Sequence, residues 1–366
     1  MPRVELRQYT SFGNSFALVD ETENPQLDEH HMRALARVTT SPANASGADN
    51  LLVLQRCTGE VLERINTHRG YWGPQAEVVA EYVFRMFEPD GEEAFSCGNG
   101  LVCIAHHLDT HHGVERALIA TEIPSRVPRA RPIGRALTGE GYRANLGEPC
   151  LLPGALSRLE ARASDVGAIG ELRDFVVGCE LGDARGHGRA ASLPMTGFLT
   201  HTGEPHLVFF RSEQRSSSSA LEEIWRLVLG EHADEAPSSR GERFRLGTRA
   251  LHRIGLAFNG TEQSWFPRGI NVDFASVTGD GVIEYRCFER GIQRETMACG
   301  TGAVAVAAAA RHLGLLDEPT VRLRPLRARV DARYRDAELR VTRERSGEWW
   351  LESDATPLST KTAEVA

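Results

Sequence analysis

One segment of this chain is written twice, and that repetition constrains the fold more than any bulk property. The first half carries Phe87-Glu88-Pro89-Asp90-Gly91-Glu92-Glu93-Ala94-Phe95-Ser96-Cys97-Gly98-Asn99-Gly100, followed by an apolar helical pattern over Leu101–Leu108. The second carries Phe288-Glu289-Arg290-Gly291, then Glu295-Thr296-Met297-Ala298-Cys299-Gly300-Thr301-Gly302, then a helical pattern over Ala303–Leu313. Each copy reads strand, loop, Cys-Gly-x-Gly, helix. At 366 residues, two domains are the natural expectation.

Strand patterns outnumber helix patterns. Short apolar or alternating runs predict strands at Arg3–Tyr9, Phe16–Val19, Leu51–Leu54, Val78–Phe87, Asp174–Cys179 and Leu207–Phe210. Further strands are predicted at Val272–Val277, Val282–Phe288, Val321–Leu323, Leu339–Thr342 and Trp349–Leu351. A third helix is expected at Leu221–Leu229, where Ser219-Ala220-Leu221-Glu222 fits a capping box. Glu213–Ser218 and Pro237–Glu242 read as solvated loops on either side of it.

Composition then excludes several chemistries. A net charge of -8 offers no electrostatic footprint for nucleic acid or an anionic membrane. The first residues alternate charged and apolar side chains without a signal-peptide core, and Ala303–Ala310 is too short to span a bilayer. A cytoplasmic protein is expected. Seven cysteines without a Cys-x-x-Cys pair argue for free thiols rather than a disulfide framework or a zinc ribbon. The only lysine is Lys361, in a polar tail, so a pyridoxal-phosphate Schiff base has no candidate anchor. No cofactor is expected. The His106-His107 and His111-His112 pairs lack a matching acidic or cysteine ligand, and no metal is expected either.

The doubled element itself points to chemistry. Its glycines, lacking Cβ atoms, let the backbone turn tightly and approach a ligand. A helix that begins there aims unpaired N–H groups at its N-terminus, which suits a carboxylate and would lower the pKa of a cysteine thiol. Two such elements facing each other would clamp an amino acid's α-carboxylate while one thiolate removes the α-proton and the opposite thiol returns one. Cys97 and Cys299 are therefore the expected acid–base pair. Cys57, Cys103, Cys150, Cys179 and Cys287 lack the setting, and core filling is their expected role.

These residues resemble the diaminopimelate epimerase family. Phe12-Gly13-Asn14-Ser15-Phe16 is similar to its Gly-Asn-Asp/Ser-Phe turn, and Gly47-Ala48-Asp49-Asn50-Leu51-Leu52 to its Gly-x-Asp-Gln/Gly-Leu-Leu segment. The two cysteine segments are similar to its two signatures, with Gly203-x-Pro205-His206 and Asn271-Val272 in order between them. Residues 56–76 and 123–170 match poorly. The resemblance implies an α/β fold of two pseudo-symmetric domains, each a strand-rich barrel-like sheet around a central helix, with the active site in the cleft between them. The expected division is 1–122, joined by the returning tail 349–366, and 123–348. It further implies that His206 and Glu289 adjust thiol protonation. Asn14 and the backbone of Gly98, Asn99, Gly300 and Thr301 would hold the reacting amino and carboxylate groups. Arg290 and Asn271 would grip the distal end of the substrate.

The chain departs from the family where it reads that distal end. Glu88 and Glu204 stand where asparagine is usual, and Asn50 replaces a glutamine. If both glutamates line the pocket, a cationic amino acid is favoured over diaminopimelate. If either pairs with Arg290, diaminopimelate remains acceptable. The leading expectation is diaminopimelate epimerisation, with a racemase of another, cationic, amino acid next. An amino-acid-binding protein without turnover, or a thiol redox sensor using Cys97 and Cys299, is the reading from another class. The isomerases that share this fold without the cysteine pair are a poor match. The expected partner is a small-molecule amino acid, and a homodimer is left open.

Overall fold

The computed structural model describes residues 3–41, 47–70, 72–73, 80–121, 128–152, 156, 169–182, 188–214, 219–230, 237–260 and 265–364. The chain divides into two compact units, 1–147 with 342–366, and 148–341.

The first unit contains β1 (Arg3–Ser11), β2 (Asn14–Glu21), α1 (Glu29–Thr39), β3 (Asn50–Arg56), α2 (Gly59–Arg69), β4 (Tyr82–Phe87), α3 (Gly98–His112), β5 (Arg116–Thr121), β6 (Arg129–Arg135) and β7 (Tyr142–Gly147). The second contains β8 (Gly170–Gly182), β9 (Gly188–His201), β10 (Pro205–Phe210), α4 (Ser219–Leu229), α5 (Pro237–Asn259), β11 (Asn271–Val277), β12 (Ile283–Glu289), β13 (Arg294–Glu295), α6 (Gly300–His312) and β14 (Thr320–Pro325). β15 (Leu339–Arg343) crosses the division, and β16 (Trp349–Ser353) and β17 (Thr356–Glu364) return to the first unit.

The two units repeat one topology. β1–β2 is antiparallel, β2–β3 parallel, β3–β4 antiparallel and β4–β5 parallel. β9–β10, β10–β11, β11–β12 and β12–β14 follow the same alternation. Each parallel step needs a crossover, supplied by α1 and α3 in one unit and by α4–α5 and α6 in the other. Both units are pseudo-symmetric α/β structures built around one buried helix. α3 packs against β1, β5, β6, β7 and β16, and α6 against β9, β10, β11 and β12. A helix enclosed by strands must be apolar all round and slim. α6, reading Gly-Thr-Gly-Ala-Val-Ala-Val-Ala-Ala-Ala-Ala, is buried from Gly300 through Ala310.

The first unit runs to Gly147 rather than to 122, because β5–β6–β7 continue its sheet and β7 pairs with β16. The expected loop at Pro237–Glu242 is instead the start of α5. α1 and α2 had no counterpart among the predicted elements; α2 buries only Leu62 and Ile65, too few to leave a periodic signal. Residues 78–79 of one predicted strand and 215–218 of one predicted loop lie outside the described residues. No described helix is long and apolar enough to cross a membrane.

Candidate active site

Each cysteine caps its central helix. Cys97 and Cys299 have extended backbones, and each sulfur accepts the N–H of the residue three further on, Gly100 or Gly302, at 3.3 Å. A side chain at N-cap that takes a terminal N–H does what serine or aspartate does there. Cys97 is half-buried; Cys299 is 5% exposed.

A buried Arg–Glu fork holds the loop in front of each cysteine. In the first unit Arg85 donates through Nε and Nη2 to Glu93 at 2.6 and 2.8 Å, and also to Glu29 at 2.6 Å. In the second, Arg286 donates likewise to Glu295 at 2.5 and 2.6 Å, and its remaining N–H groups reach the Val228 carbonyl and the Thr248 hydroxyl. Both glutamates lie four residues before their cysteine. These four residues were not picked out from sequence, although Glu93 and Glu295 lie within the echo and Arg85 and Arg286 each stand two residues before its opening phenylalanine.

Strand alternation sorts the rest. Side chains two apart on a strand share a face. On β11, Asn271 and Asp273 both reach His206 of neighbouring β10. His206 Nδ1 lies 2.7 Å from Asp273 Oδ2, and its Nε2 lies 3.0 Å from the Thr301 hydroxyl and 3.3 Å from Asn271 Nδ2. Thr301 Oγ1 is 3.5 Å from Cys299 Sγ. On β12, Cys287 and Glu289 share a face, and their ligand atoms lie within 4.8 Å of each other and of Cys299 Sγ. Thr296 donates its hydroxyl to Glu289. The second unit thus gathers His206, Glu289, Asn271, Cys299 and Thr301, and adds Asp273 and Cys287. The sequence reading missed Asp273 and treated Cys287 as core; their signal was the two-residue spacing from Asn271 and Glu289.

The Cys299 thiol departs from the expectation for a helix N-terminus. Its hydrogen bond with Cys287 pulls it down, but burial and the negative charges of Glu289 and Asp273 outweigh that and push it up to about 11. Burial also drives the Cys287 and Cys103 thiols upward. Cys57 and Cys103 are buried as core residues, whereas Cys150 is exposed. The Cys179 side chain lies outside the described residues.

In the first unit Asn14 and Asn50 open the parallel strands β2 and β3, and Glu88 follows antiparallel β4, so the pairing puts all three at one end of the sheet. Asn14, Asn50, Glu88 and Asn99 are all buried. The Asn50 amide nitrogen has no hydrogen-bond partner among the described residues. That is a costly arrangement which a ligand's acceptor would relieve.

Glu204 meets Arg290. Its Oε2 accepts from Nε at 2.9 Å and lies 2.8 Å from Nη2, while Nη1 donates to the Arg268 carbonyl. The Arg290 backbone N–H donates to Asn271 Oδ1 at 2.9 Å. Asn271 therefore spends its side chain on Arg290 and His206.

Three clusters of metal-type ligands occur among the described residues, and two of them are the His206–Asp273–Cys287 and Cys287–Glu289–Cys299 groups just described. The third, Asp20–His107–His112, supplies the acidic partner that sequence spacing lacked. Asp20 Oδ2 lies 2.9 and 2.6 Å from the two Nε2 atoms, and Thr22 donates twice to Oδ1. Burial raises the Asp20 carboxyl, yet hydrogen bonds from His107, Thr22 and His112 outweigh it and hold the group well below the usual range. The cluster is already satisfied by its own hydrogen bonds.

No protein-family model matches the chain. It is 28% identical over 325 residues to the diaminopimelate epimerase of Methanothrix thermoacetophila, covering 87% of this chain and 85% of the relative. It is 25% identical over 297 residues to that of Bacillus subtilis, covering 81% and 79%. Among solved structures, a probable proline racemase from Agrobacterium radiobacter K84 superposes with a TM-score of 0.54 at 13% identity, over 99% of this chain and 93% of that one. A PhzF-family phenazine biosynthesis protein of Bacillus anthracis gives 0.53 at 15% identity over the full length of both. These likenesses show a shared fold of two pseudo-symmetric α/β domains.

Proposed function

From a chain that is a relative of the diaminopimelate epimerases, we propose an amino-acid epimerase that works without cofactor through Cys97 and Cys299. The carrying observation is that both units end the same loop in a cysteine that caps a buried helix through its sulfur. The substrate α-carboxylate would take the backbone N–H groups of Gly98, Asn99, Gly300 and Thr301, where helix dipoles favour negative charge. One thiolate removes the α-proton from one face as the other thiol delivers a proton to the opposite face. His206 and Glu289 adjust the protonation of the sulfur, and Asn14 and Asn50 hold the amino-acid end.

The leading substrate is diaminopimelate, converted from the LL to the meso form. The Glu204–Arg290 pair is electrically neutral and leaves a zwitterionic distal end acceptable. The same pair favours a second reading. With Nε, Nη2 and Nη1 already engaged, the guanidinium fork is less able to grip a distal carboxylate, which suits a basic amino acid lacking one. Incubation in D2O with diaminopimelate, lysine, ornithine, arginine and histidine, followed by NMR of the α-position, tests both. Exchange and inversion of diaminopimelate support the first reading; exchange of a basic monocarboxylate alone supports the second. A protein that exchanges none of them is not this epimerase.

A further inference from the structure

His206 has a determinable tautomer, and it follows from a backbone contact. The Arg290 N–H donates to Asn271 Oδ1, which fixes the orientation of the amide. Asn271 Nδ2 must then be the atom facing His206 Nε2, at 3.3 Å. An amide nitrogen only donates, so Nε2 is the acceptor and the ring proton sits on Nδ1, aimed at Asp273 Oδ2 2.7 Å away. Both residues are wholly buried.

We propose that Asp273 is a positioning residue for Cys299: it holds His206 in the Nδ1–H form, and so leaves the Thr301 hydroxyl to turn between His206 Nε2 and the Cys299 sulfur. The distances for both positions are present, 3.0 Å to Nε2 and 3.5 Å to Sγ. While Cys299 is a thiol, its S–H points at Thr301 Oγ1 and the hydroxyl proton points at Nε2. When Cys299 has given its proton to the substrate, the hydroxyl turns and donates to the thiolate, beside the Gly302 N–H, and Asn271 keeps Nε2 satisfied. No proton passes to His206. The imidazole stays neutral, and the sulfur gains a donor only when it carries charge.

Gly302 shows how closely this set is built. A Cβ there would stand 2.7 Å from Asp273 Oδ1 and 3.1 Å from Cys299 Sγ, so the second glycine of the motif makes room for the carboxylate. Oδ1 itself has no hydrogen-bond partner among the described residues. The charged and titratable groups around Cys299 are Asp273 on β11, Cys287, Glu289 and Tyr285 on β12, and His206 on β10.

The consequence for turnover rests on the two-thiol reading; the test does not. Long-range proton–nitrogen NMR of 15N-histidine-labelled protein at pH 7–8 should show His206 with a protonated Nδ1 and a pyridine-type Nε2. A protonated Nε2, or an imidazolium, overturns the proposal. In Asp273→Leu, which offers the His206 Nδ1–H no acceptor, the same spectrum should show the Nδ1–H form lost or mixed with the Nε2–H form. An unchanged Nδ1–H form in that variant overturns it as well. If that variant does not fold, the wild-type spectrum alone decides. The expected tautomer in a protein that exchanges no α-hydrogen would leave this inference standing and end the epimerase reading.

Discussion

The surroundings of the two cysteines share a frame and differ in what fills it. Strand register makes the correspondence residue by residue. Phe16 opposite Asn50 in one unit matches His206 opposite Asn271 in the other, and Leu51 opposite Phe87 matches Val272 opposite Phe288. Leu52 therefore corresponds to Asp273, and Met86 to Cys287. The glycines agree: a Cβ on Gly100 would meet Leu52 and Phe84, and one on Gly302 would meet Asp273. Around Cys97 these positions are apolar; around Cys299 they carry an imidazole, a carboxylate and a thiol. A duplicated fold holds two cysteines in similar backbones, and side chains brought in by the strands make their surroundings chemically unequal. Against the hydrogen bond with Cys287, burial and the carboxylates beside it push the Cys299 thiol up to about 11.

The largest expected effect breaks both halves alike. Cys97→Ala and Cys299→Ala should each cut inversion by on the order of 10²–10⁴-fold, the usual worth of a positioned acid or base. Inversion at wild-type rate in either variant removes the two-thiol mechanism.

The forks come next and should separate the units. Breaking a buried ion pair costs about 3–5 kcal/mol. Glu295→Ala should lie at the upper end in urea unfolding, because the hydrogen bonds left to Arg286 among the described residues go to the neutral Val228 carbonyl and Thr248 hydroxyl. Glu93→Ala should lie lower, because Arg85 keeps Glu29. The reverse order would mean the forks contribute differently from their geometry.

The glycines sharpen the comparison further. Gly100→Ala meets the Phe84 ring at 3.1 Å and a Leu52 methyl at 3.2 Å, a mild overpacking that should cost about 1–3 kcal/mol of stability. Gly302→Ala instead pushes on Asp273 and the Cys299 sulfur, so kcat should fall more than stability does. Equal losses of stability and unchanged kcat would show that the Asp273 contact is unimportant.

The smallest effect is one of order and pH. Iodoacetamide at pH 8 should label half-buried Cys97 before Cys299, whose thiolate fraction there is roughly 10⁻³ for a group near 11. Labelling of Cys299 should keep rising past pH 9 toward 11. The sign for stability follows. A thiol raised from 9.0 to about 11 on folding adds stability that is full below 9 and lost as pH climbs through 11. Cys299→Ser should therefore unfold less steeply than wild type over that range.

The local parts of this protein were legible in sequence because they depend on neighbours along the chain. A cysteine followed by Gly-x-Gly and an apolar run specifies a helix start, with the cap, the N–H groups and the room to turn all within four residues. α6 was readable for the same reason, its alanines needing no partner to mark them as helix. What surrounds each sulfur was decided by tertiary structure. Asp273 is 67 residues from His206, and Thr301 is 95. Which face each side chain takes depends on strand register, where a slip of one residue would turn Asp273 away from His206 and bring its neighbours in. The same holds for Glu204, whose charge was plain in sequence and whose partner, Arg290, lies 86 residues on. Its effect on a substrate depends on that pairing, since a carboxylate against a guanidinium and a carboxylate alone present different fields from one residue type.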